Sequence, residues 1–330
     1  MEINHFITPR MLDHPVTDAR AWVGRDLTEA DWTIPLQADA LAELRQVLKS
    51  LRYAPLETLL LDPDDFELDA CRATMEKVRR QLTSGIMFAV LDRLPVEELS
   101  EAEAKQLYWL LASLVARPVA QKLNGQMFFD VRDTGAKLKP GSGIRPTVTN
   151  VDLTYHNDNS YNNTPPDVVS LLCIHHAMQG GVSRVVSVYS VHNALLSDYP
   201  DLLGRLYRPV WYDRHAEHLP GEPDAFSAPV FEYEDTLNTR LALSEIYAGY
   251  ALKGIELDTT TREALDAVQS VFNRPDLRVE LEMRAGQIQF VNNRATGHAR
   301  TEFQDFPEPE RKRHLVRLWL RDGGLRSYRG

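Results

Sequence analysis

Two short segments of this chain set an imidazole and a carboxylate two positions apart: His156-Asn157-Asp158 and His215-Ala216-Glu217. On extended backbone, side chains two apart project from one face, so either pair could chelate a single ion. The pattern alone carries little information. Ten histidines and 47 acidic residues in 330 positions give 10 × 47/330, about 1.4, matches by chance. Two occur, so the surroundings must choose between them.

Around the first pair, Tyr155 precedes, and Asn159, Ser160, Asn162 and Asn163 follow before Pro165-Pro166 ends the segment. This density of hydrogen-bonding groups suits a polar pocket mouth, and a plain solvated loop accounts for it too. A third ligand must come from elsewhere, and the candidate is His298 in the stretch Asn292 to Arg300. Fifteen residues further on, Arg313 to Trp319 reads as a strand on which Arg313 and Arg317 share a face with Leu315. Arginines facing inward need an anion, and a guanidinium fork matches a carboxylate, so a buried ligand carboxylate is a natural partner. The alternative is surface pairing with Glu280, Glu282 or Asp305.

These residues must be held by the elements between them. Residues 27–55 read as one amphipathic helix through Leu41, Leu44, Val47, Leu48 and Leu51. A second runs through Leu68, Cys71, Met75, Val78 and Leu82 to a stop near Gly85, followed by a buried strand from Ile86 to Leu91. Glu97 to Ala116 reads as a helix and Gln126 to Val131 as a strand. Asp133 to Thr149, rich in Gly, Pro and Lys, reads as a long loop of the kind that often covers a binding site.

Short β-type runs follow at Val168–Ile174, Ser183–Val188, Arg240–Leu243, Arg278–Met283, Gln287–Asn292 and His314–Leu320, with one helical interruption at Thr259–Phe272. Helices first and many short strands after predict an α+β protein whose C-terminal two thirds form a sandwich or barrel. No repeat or linker divides the chain, so one domain is expected over residues 1–330, with 1–84 a mainly helical flank and 85–330 the core with insertions.

His156-x-Asp158, the distant His298, Arg313-x-x-x-Arg317 and the intervening Gly180-Gly181-Val182-Ser183 together resemble the taurine-dioxygenase-like (TauD/TfdA-like) branch of the iron(II)- and 2-oxoglutarate-dependent oxygenases. The resemblance runs from about Gly85 to Trp319 and is strongest at 154–187 and 290–320. It implies a distorted double-stranded β-helix, or jelly roll, in agreement with the strand reading. It implies that His156, Asp158 and His298 form the facial triad that holds iron(II) and leaves positions open for 2-oxoglutarate and O2. Arg313 and Ser183 would bind the distal carboxylate of 2-oxoglutarate. Arg317 would touch either the cosubstrate or an anionic group of the substrate. Halogenating relatives carry a small residue in place of the carboxylate, and this chain keeps Asp158. Hydroxylation with release of succinate and carbon dioxide is therefore the default, although desaturation, epoxidation and ring closure use the same triad.

Tyr155, Asn159, Asn162 and residues 137–149 are the candidate substrate contacts, and a polar rim accounts for them equally. Surrounding Asn, Ser and Arg groups suggest a small, amino-acid-like or natural-product substrate. His215-Ala216-Glu217-His218 lacks the matching downstream glycines and arginines and reads as a surface or substrate-facing loop. His175-His176 reads as one buried and one exposed ring. No dinucleotide or Walker pattern follows Gly180-Gly181, and no nucleophile elbow is present. The competing reading is a non-redox jelly roll, either a metal-dependent hydrolase or a ligand-binding module, neither of which needs Arg313 and Ser183.

Composition bounds the partners. Lys plus Arg (37) against Asp plus Glu (47) gives a net charge of −10, which offers no general attraction for nucleic acid or an anionic membrane. No apolar run reaches spanning length. Two cysteines about a hundred residues apart fit a reducing compartment, so a cytoplasmic protein with a small-molecule partner is expected. The sequence has no signal for oligomeric state.

Overall fold

Residues 9–137 and 146–330 are described by the computed structural model. Three helices come early: α1 (Ala38–Tyr53), α2 (Asp69–Thr83) and α3 (Glu101–Val115). The larger sheet contains β1 (Thr33–Pro35), β2 (Phe88–Asp92), β3 (Arg117–Val119), β4 (Phe129–Val131), β6 (Val168–His175), β9 (Ile288–Asn292) and β11 (His314–Arg321). Their order is β1-β2-β9-β6-β11-β3, with β4 also on β11. The smaller sheet has the order β8-β7-β10-β5, from β5 (Leu153–His156), β7 (Ser183–Ser187), β8 (Arg278–Leu281) and β10 (Thr296–Arg300). The two mostly antiparallel sheets are those of a jelly roll.

Alternation along β11 shows how the layers arise. Val316, Leu318 and Leu320 face α1, α2 and α3 in one apolar cluster, with Leu172 of β6 and Phe290 of β9. Leu315 and Trp319 face the other way and join Val169, Cys173 and Val291 of the same sheet to Val185, Val279 and Leu281 of the smaller one. A strand's period of two therefore assigns Leu315 and Trp319, with Arg313 and Arg317 in the same register, to the space between the sheets. The outer face of the smaller sheet is covered by α4 (Val188–Asp198), α5 (Pro200–Leu206), α6 (Leu243–Lys253) and α7 (Thr259–Phe272).

Several expected elements differ. The helix expected over 27–55 is interrupted: a single helical turn, Glu29–Trp32, is followed by β1, which pairs in parallel with β2, and only then by α1. Pro35 explains the break, because its ring removes a donor and holds Ile34 extended. Helix α3 begins at Glu101 rather than Glu97, where Ser100 and Glu103 form a capping box. Only Phe129–Val131 of the run 126–131 is strand.

The strand expected at 240–243 does not form. The strand there is Leu237–Thr239, and α6 starts at Leu243. Between them Arg240 donates to the carbonyls of Ser160 and Asn162, while Leu241 is held by Asn157. Helices α4, α5 and α6 are further interruptions that the periodicity did not reveal. Residues 138–145 of the expected loop lie outside the described residues. Among the described residues no helix is long and apolar enough to cross a membrane.

Candidate active site

His156 ends β5 and His298 lies in the middle of β10, directly opposite it in register. The turn after β5 carries Asp158 back toward them. Asn293 fixes that turn from both sides: its Oδ1 accepts from the Asp158 amide at 2.8 Å, and its Nδ2 donates to the Asp158 carbonyl at 2.9 Å. Asn157 does the same one residue earlier, donating to the Thr296 carbonyl and accepting from the Leu241 amide. Sequence reasoning passed over both asparagines as anchors, although Asn157 is the central residue of the motif.

The three side chains offer ligand atoms that all lie within 4.8 Å of one another. Asp158 Oδ1 is 3.4 Å from His156 Nε2 and 3.7 Å from His298 Nε2. Its other oxygen is occupied: Trp319 Nε1 donates to Oδ2 at 2.7 Å and Arg317 Nη1 lies 2.9 Å from it. The protein thus holds one carboxylate oxygen and turns the other to the two imidazoles. His156 Nδ1 lies 2.9 Å from the Thr154 carbonyl, which can only accept, so in the neutral ring the proton sits on Nδ1 and Nε2 is the nitrogen that can ligate.

Charge states agree with this donor set. Asp158 is only 6% exposed, and burial alone would raise its pKa. Arg317 and the two imidazoles outweigh that and hold the carboxyl well below its ordinary range. Burial lowers His298, helped by neighbouring His156, which favours the neutral ring that can ligate. Two imidazoles and one carboxylate on one side of a cleft are the donors of a non-haem ferrous centre, and these residues fit such an ion.

Around the cluster lies a cleft walled by Val131, Val169, Leu171, Val291 and Leu315, with Ser183, Gln289, Arg300, Arg313 and Arg317 as further polar residues. Arg313 is 4% exposed, makes no ion pair among the described residues, and keeps Nη1 buried without a partner. Burial draws its pKa down to about 10. A buried cation in that state is poised for an anion from outside the chain. Ser183 donates to Gln289 Oε1 at 3.1 Å within the same wall. Gly180 and Gly181 have φ of 73° and 70°, a left-handed turn, and a Cβ on Gly181 would come within 3.0 Å of Arg313 Nε. The glycine pair therefore makes the turn and leaves room for the arginine.

Arg317 faces the cleft but is engaged. Besides Asp158 it donates from Nε to Gln121 Oε1 at 2.8 Å and lies 4.9 Å from the Phe129 ring centroid and 5.1 Å from that of Trp319. The other three candidate substrate contacts do not line the cleft. Tyr155 points to the opposite face from His156, into the outer core beside Phe272. Asn159 and Asn162 bond to each other and to the Tyr328 hydroxyl, and Asn162 also accepts from Arg214. They close the C-terminal segment onto the turn, a use that their polarity alone did not separate from a pocket rim.

His215 and Glu217 part company, His215 to Glu245 at 2.8 Å and Glu217 to Lys122 at 2.6 Å. His175 and His176 are both exposed, because β6 ends at His175. Of the long loop expected to cover the site, Thr147 lines the cleft.

Residues 52–319 match the family described as taurine catabolism dioxygenase TauD, TfdA family. The chain is 30% identical over 315 residues to FR-33289 synthase of Streptomyces rubellomurinus (strain ATCC 31215), covering 94% of this chain and 91% of that protein. Among solved structures it is similar to asparagine oxygenase in complex with Fe(II), 2S,3S-3-hydroxyasparagine and succinate. The TM-score is 0.65 at 22% identity, over 90% of this chain and 94% of that one. It is also similar to the non-heme iron oxygenase OrfP in complex with Fe and alpha-ketoglutaric acid, with a TM-score of 0.65 at 14% identity over 88% of this chain and 94% of that one.

Proposed function

The chain belongs to the taurine catabolism dioxygenase TauD, TfdA family and is an iron(II)- and 2-oxoglutarate-dependent oxygenase; on that premise we propose that His156, Asp158 and His298 hold its ferrous ion, and that Arg313 and Ser183 bind the distal carboxylate of 2-oxoglutarate. The observation that carries this reading is the division of labour in Asp158, with Oδ2 held by Trp319 and Arg317 and Oδ1 facing both imidazole Nε2 atoms. When bound, iron and 2-oxoglutarate supply the oxidation, one atom of O2 entering succinate as carbon dioxide leaves and the other entering the substrate.

The residues do the positioning. Arg317 keeps Asp158 ionised and aimed, so we assign it to the carboxylate rather than to the cosubstrate. Thr154 fixes the His156 tautomer, and Gln289 orients Ser183. The aliphatic wall keeps water from the reacting groups, which strengthens each polar contact inside. Asp158 occupies the position whose loss would admit chloride, which supports hydroxylation as the outcome.

The substrate we propose is a small, amino-acid-like or natural-product molecule, a reading supported by the FR-33289 synthase and asparagine oxygenase likenesses. The net charge of −10 favours such a partner over a polyanion. Two free, buried cysteines, Cys71 and Cys173, favour the cytoplasm. We also read the whole chain as one oxygenase unit, because α1 to α3 share their apolar cluster with the larger sheet.

Anaerobic addition of iron(II) and 2-oxoglutarate to the metal-free protein is expected to produce the weak visible charge-transfer band of the chelate. A folded protein that gives no band would return the field to the hydrolase or ligand-binding reading. A substrate screen reading succinate, with mass spectrometry of each hit, then separates gain of oxygen from loss of two hydrogens.

A further inference from the structure

Arg300 has no part in the assignments above, yet its setting resembles that of Arg313. It lies two residues beyond His298 on β10, so it projects from the same face into the cleft, and it stands directly opposite Ser183 in register. It is 5% exposed and makes no ion pair among the described residues. Its Nη1 donates to the Thr149 carbonyl at 3.2 Å and its Nη2 to the Val151 carbonyl, while Nε is buried with no partner. Carbonyl dipoles satisfy hydrogens but do not neutralise a charge, and a buried cation without an anion is costly.

Phe303 ties the two arginines together. Its ring centroid lies 4.8 Å from the Arg300 guanidinium carbon and 4.9 Å from that of Arg313. One aromatic ring offers each cation a modest attraction but cannot offset two. The same phenylalanine holds the backbone that Arg300 grips: its amide donates to the Asn150 carbonyl at 3.0 Å, and Asn150 Nδ2 returns a bond to its carbonyl at 3.3 Å. Two unneutralised guanidiniums, one hydroxyl and one fixed loop backbone thus meet at one end of the cleft.

Resting on the oxygenase reading, we propose that Arg300 is a second cation of the 2-oxoglutarate site, clamping the distal carboxylate with Arg313 and so determining the preference for a 2-oxo diacid over a 2-oxo monoacid. Such a residue acts on the far end of the cosubstrate and not on the chelating end. A merely structural Arg300, tying down residues 149–151, would not distinguish the two ends.

Calorimetric titration of the full chain loaded with manganese(II) provides the test, with 2-oxoglutarate and 2-oxobutyrate as ligands. The second compound has the same chelating group and no distal carboxylate. Arg300→Met is expected to weaken 2-oxoglutarate about tenfold or more, the usual scale of a lost charge-assisted hydrogen bond, and to leave 2-oxobutyrate within about threefold. Arg300→Lys, which keeps the charge and loses the fork, falls between. It carries the test alone if the methionine variant does not fold.

An affinity ratio for the two acids equal to wild type in these variants overturns the proposal, whether both affinities hold or both fall together. Failure of the loaded wild-type protein to bind 2-oxoglutarate is a different result, since it removes the oxygenase reading and the clamp with it.

Discussion

Among the described residues, two clusters bring three metal-ligating groups within 4.8 Å: His156, Asp158 and His298, and Glu101, Asp130 and His314. Each also has a resident cation, and where that cation sits separates them. In the second cluster Lys105 Nζ lies 2.6 Å from Glu101 and 3.1 Å from Asp130, among the very oxygens an ion would need, while His314 Nε2 takes Asp130 Oδ1 at 2.8 Å. The group is complete as an ion-pair network joining α3 to β4 and β11. In the first, Arg317 stands behind the carboxylate on Oδ2, and Oδ1 is left to the imidazoles. Counting ligand types does not identify a metal site; asking which lone pairs are already taken does.

Removing groups from the two clusters should expose that difference. The largest effect is expected from His156→Ala or Asp158→Ala, each of which should abolish stoichiometric iron binding and succinate formation, whereas Asp130→Ala should leave iron content at the wild-type level. Metal analysis of the purified variants checks this, and equal iron loss in Asp130→Ala would reverse the ranking of the clusters. Arg313→Ala should come next. It is expected to raise the apparent 2-oxoglutarate dissociation constant by about ten- to a hundredfold while iron affinity holds, since it removes a buried charge-assisted fork and no ligand. Titration followed through the visible band reads both quantities.

Trp319→Phe keeps the packing and deletes one hydrogen bond to Asp158 Oδ2. Loss of an outer partner of this kind typically costs about tenfold or more in metal affinity, and competition with a chelator would measure it. The smallest effect belongs to the second cluster. The Asp130 carboxyl is held below its ordinary value of 3.8 by its bond to His314, against the opposing effect of burial, and by Lys105. A depressed folded-state pKa gives stability that is full above 3.8 and is lost as pH falls below it. Urea midpoints of wild type and Asp130→Asn should therefore differ at pH 6 and converge as the solution is made more acid than pH 4. A gap that persisted in strong acid would show that packing, not charge, joins these elements.

Much of this arrangement was legible in the chain because it follows from periods of two. His156 and Asp158 project together, Arg313, Leu315 and Arg317 share a face, and the strands at 168–174, 183–188, 278–283, 287–292 and 314–320 form close to where they were expected. Helix α4 was hidden because Val188, Tyr189 and Val191 extend a run of strand-favouring β-branched and aromatic residues, and its start is set by a local bond, Ser187 Oγ accepting from the Ser190 amide. Tyr155 was misplaced for want of the one fact that its neighbour His156 already owned the inner face. Asn159 and Asn162 were misread because polarity says that a group needs partners, not whether they come from a ligand or from Tyr328. Arg317 was seen to face inward, but its partner Asp158 is 159 positions away in sequence and reaches it only through the turn that Asn293 holds.

Gly181 has one more consequence. With a 3.0 Å gap between the position of a first side-chain carbon and Arg313 Nε, its contribution to the site is an absence of atoms. It works as a spacer, and the reach of the guanidinium is calibrated by what position 181 lacks. An added methyl there would be felt at the arginine as well as in the turn, so the residue is bound by two independent constraints. Searches that look for reactive groups pass over such a place, because what it supplies is vacant volume.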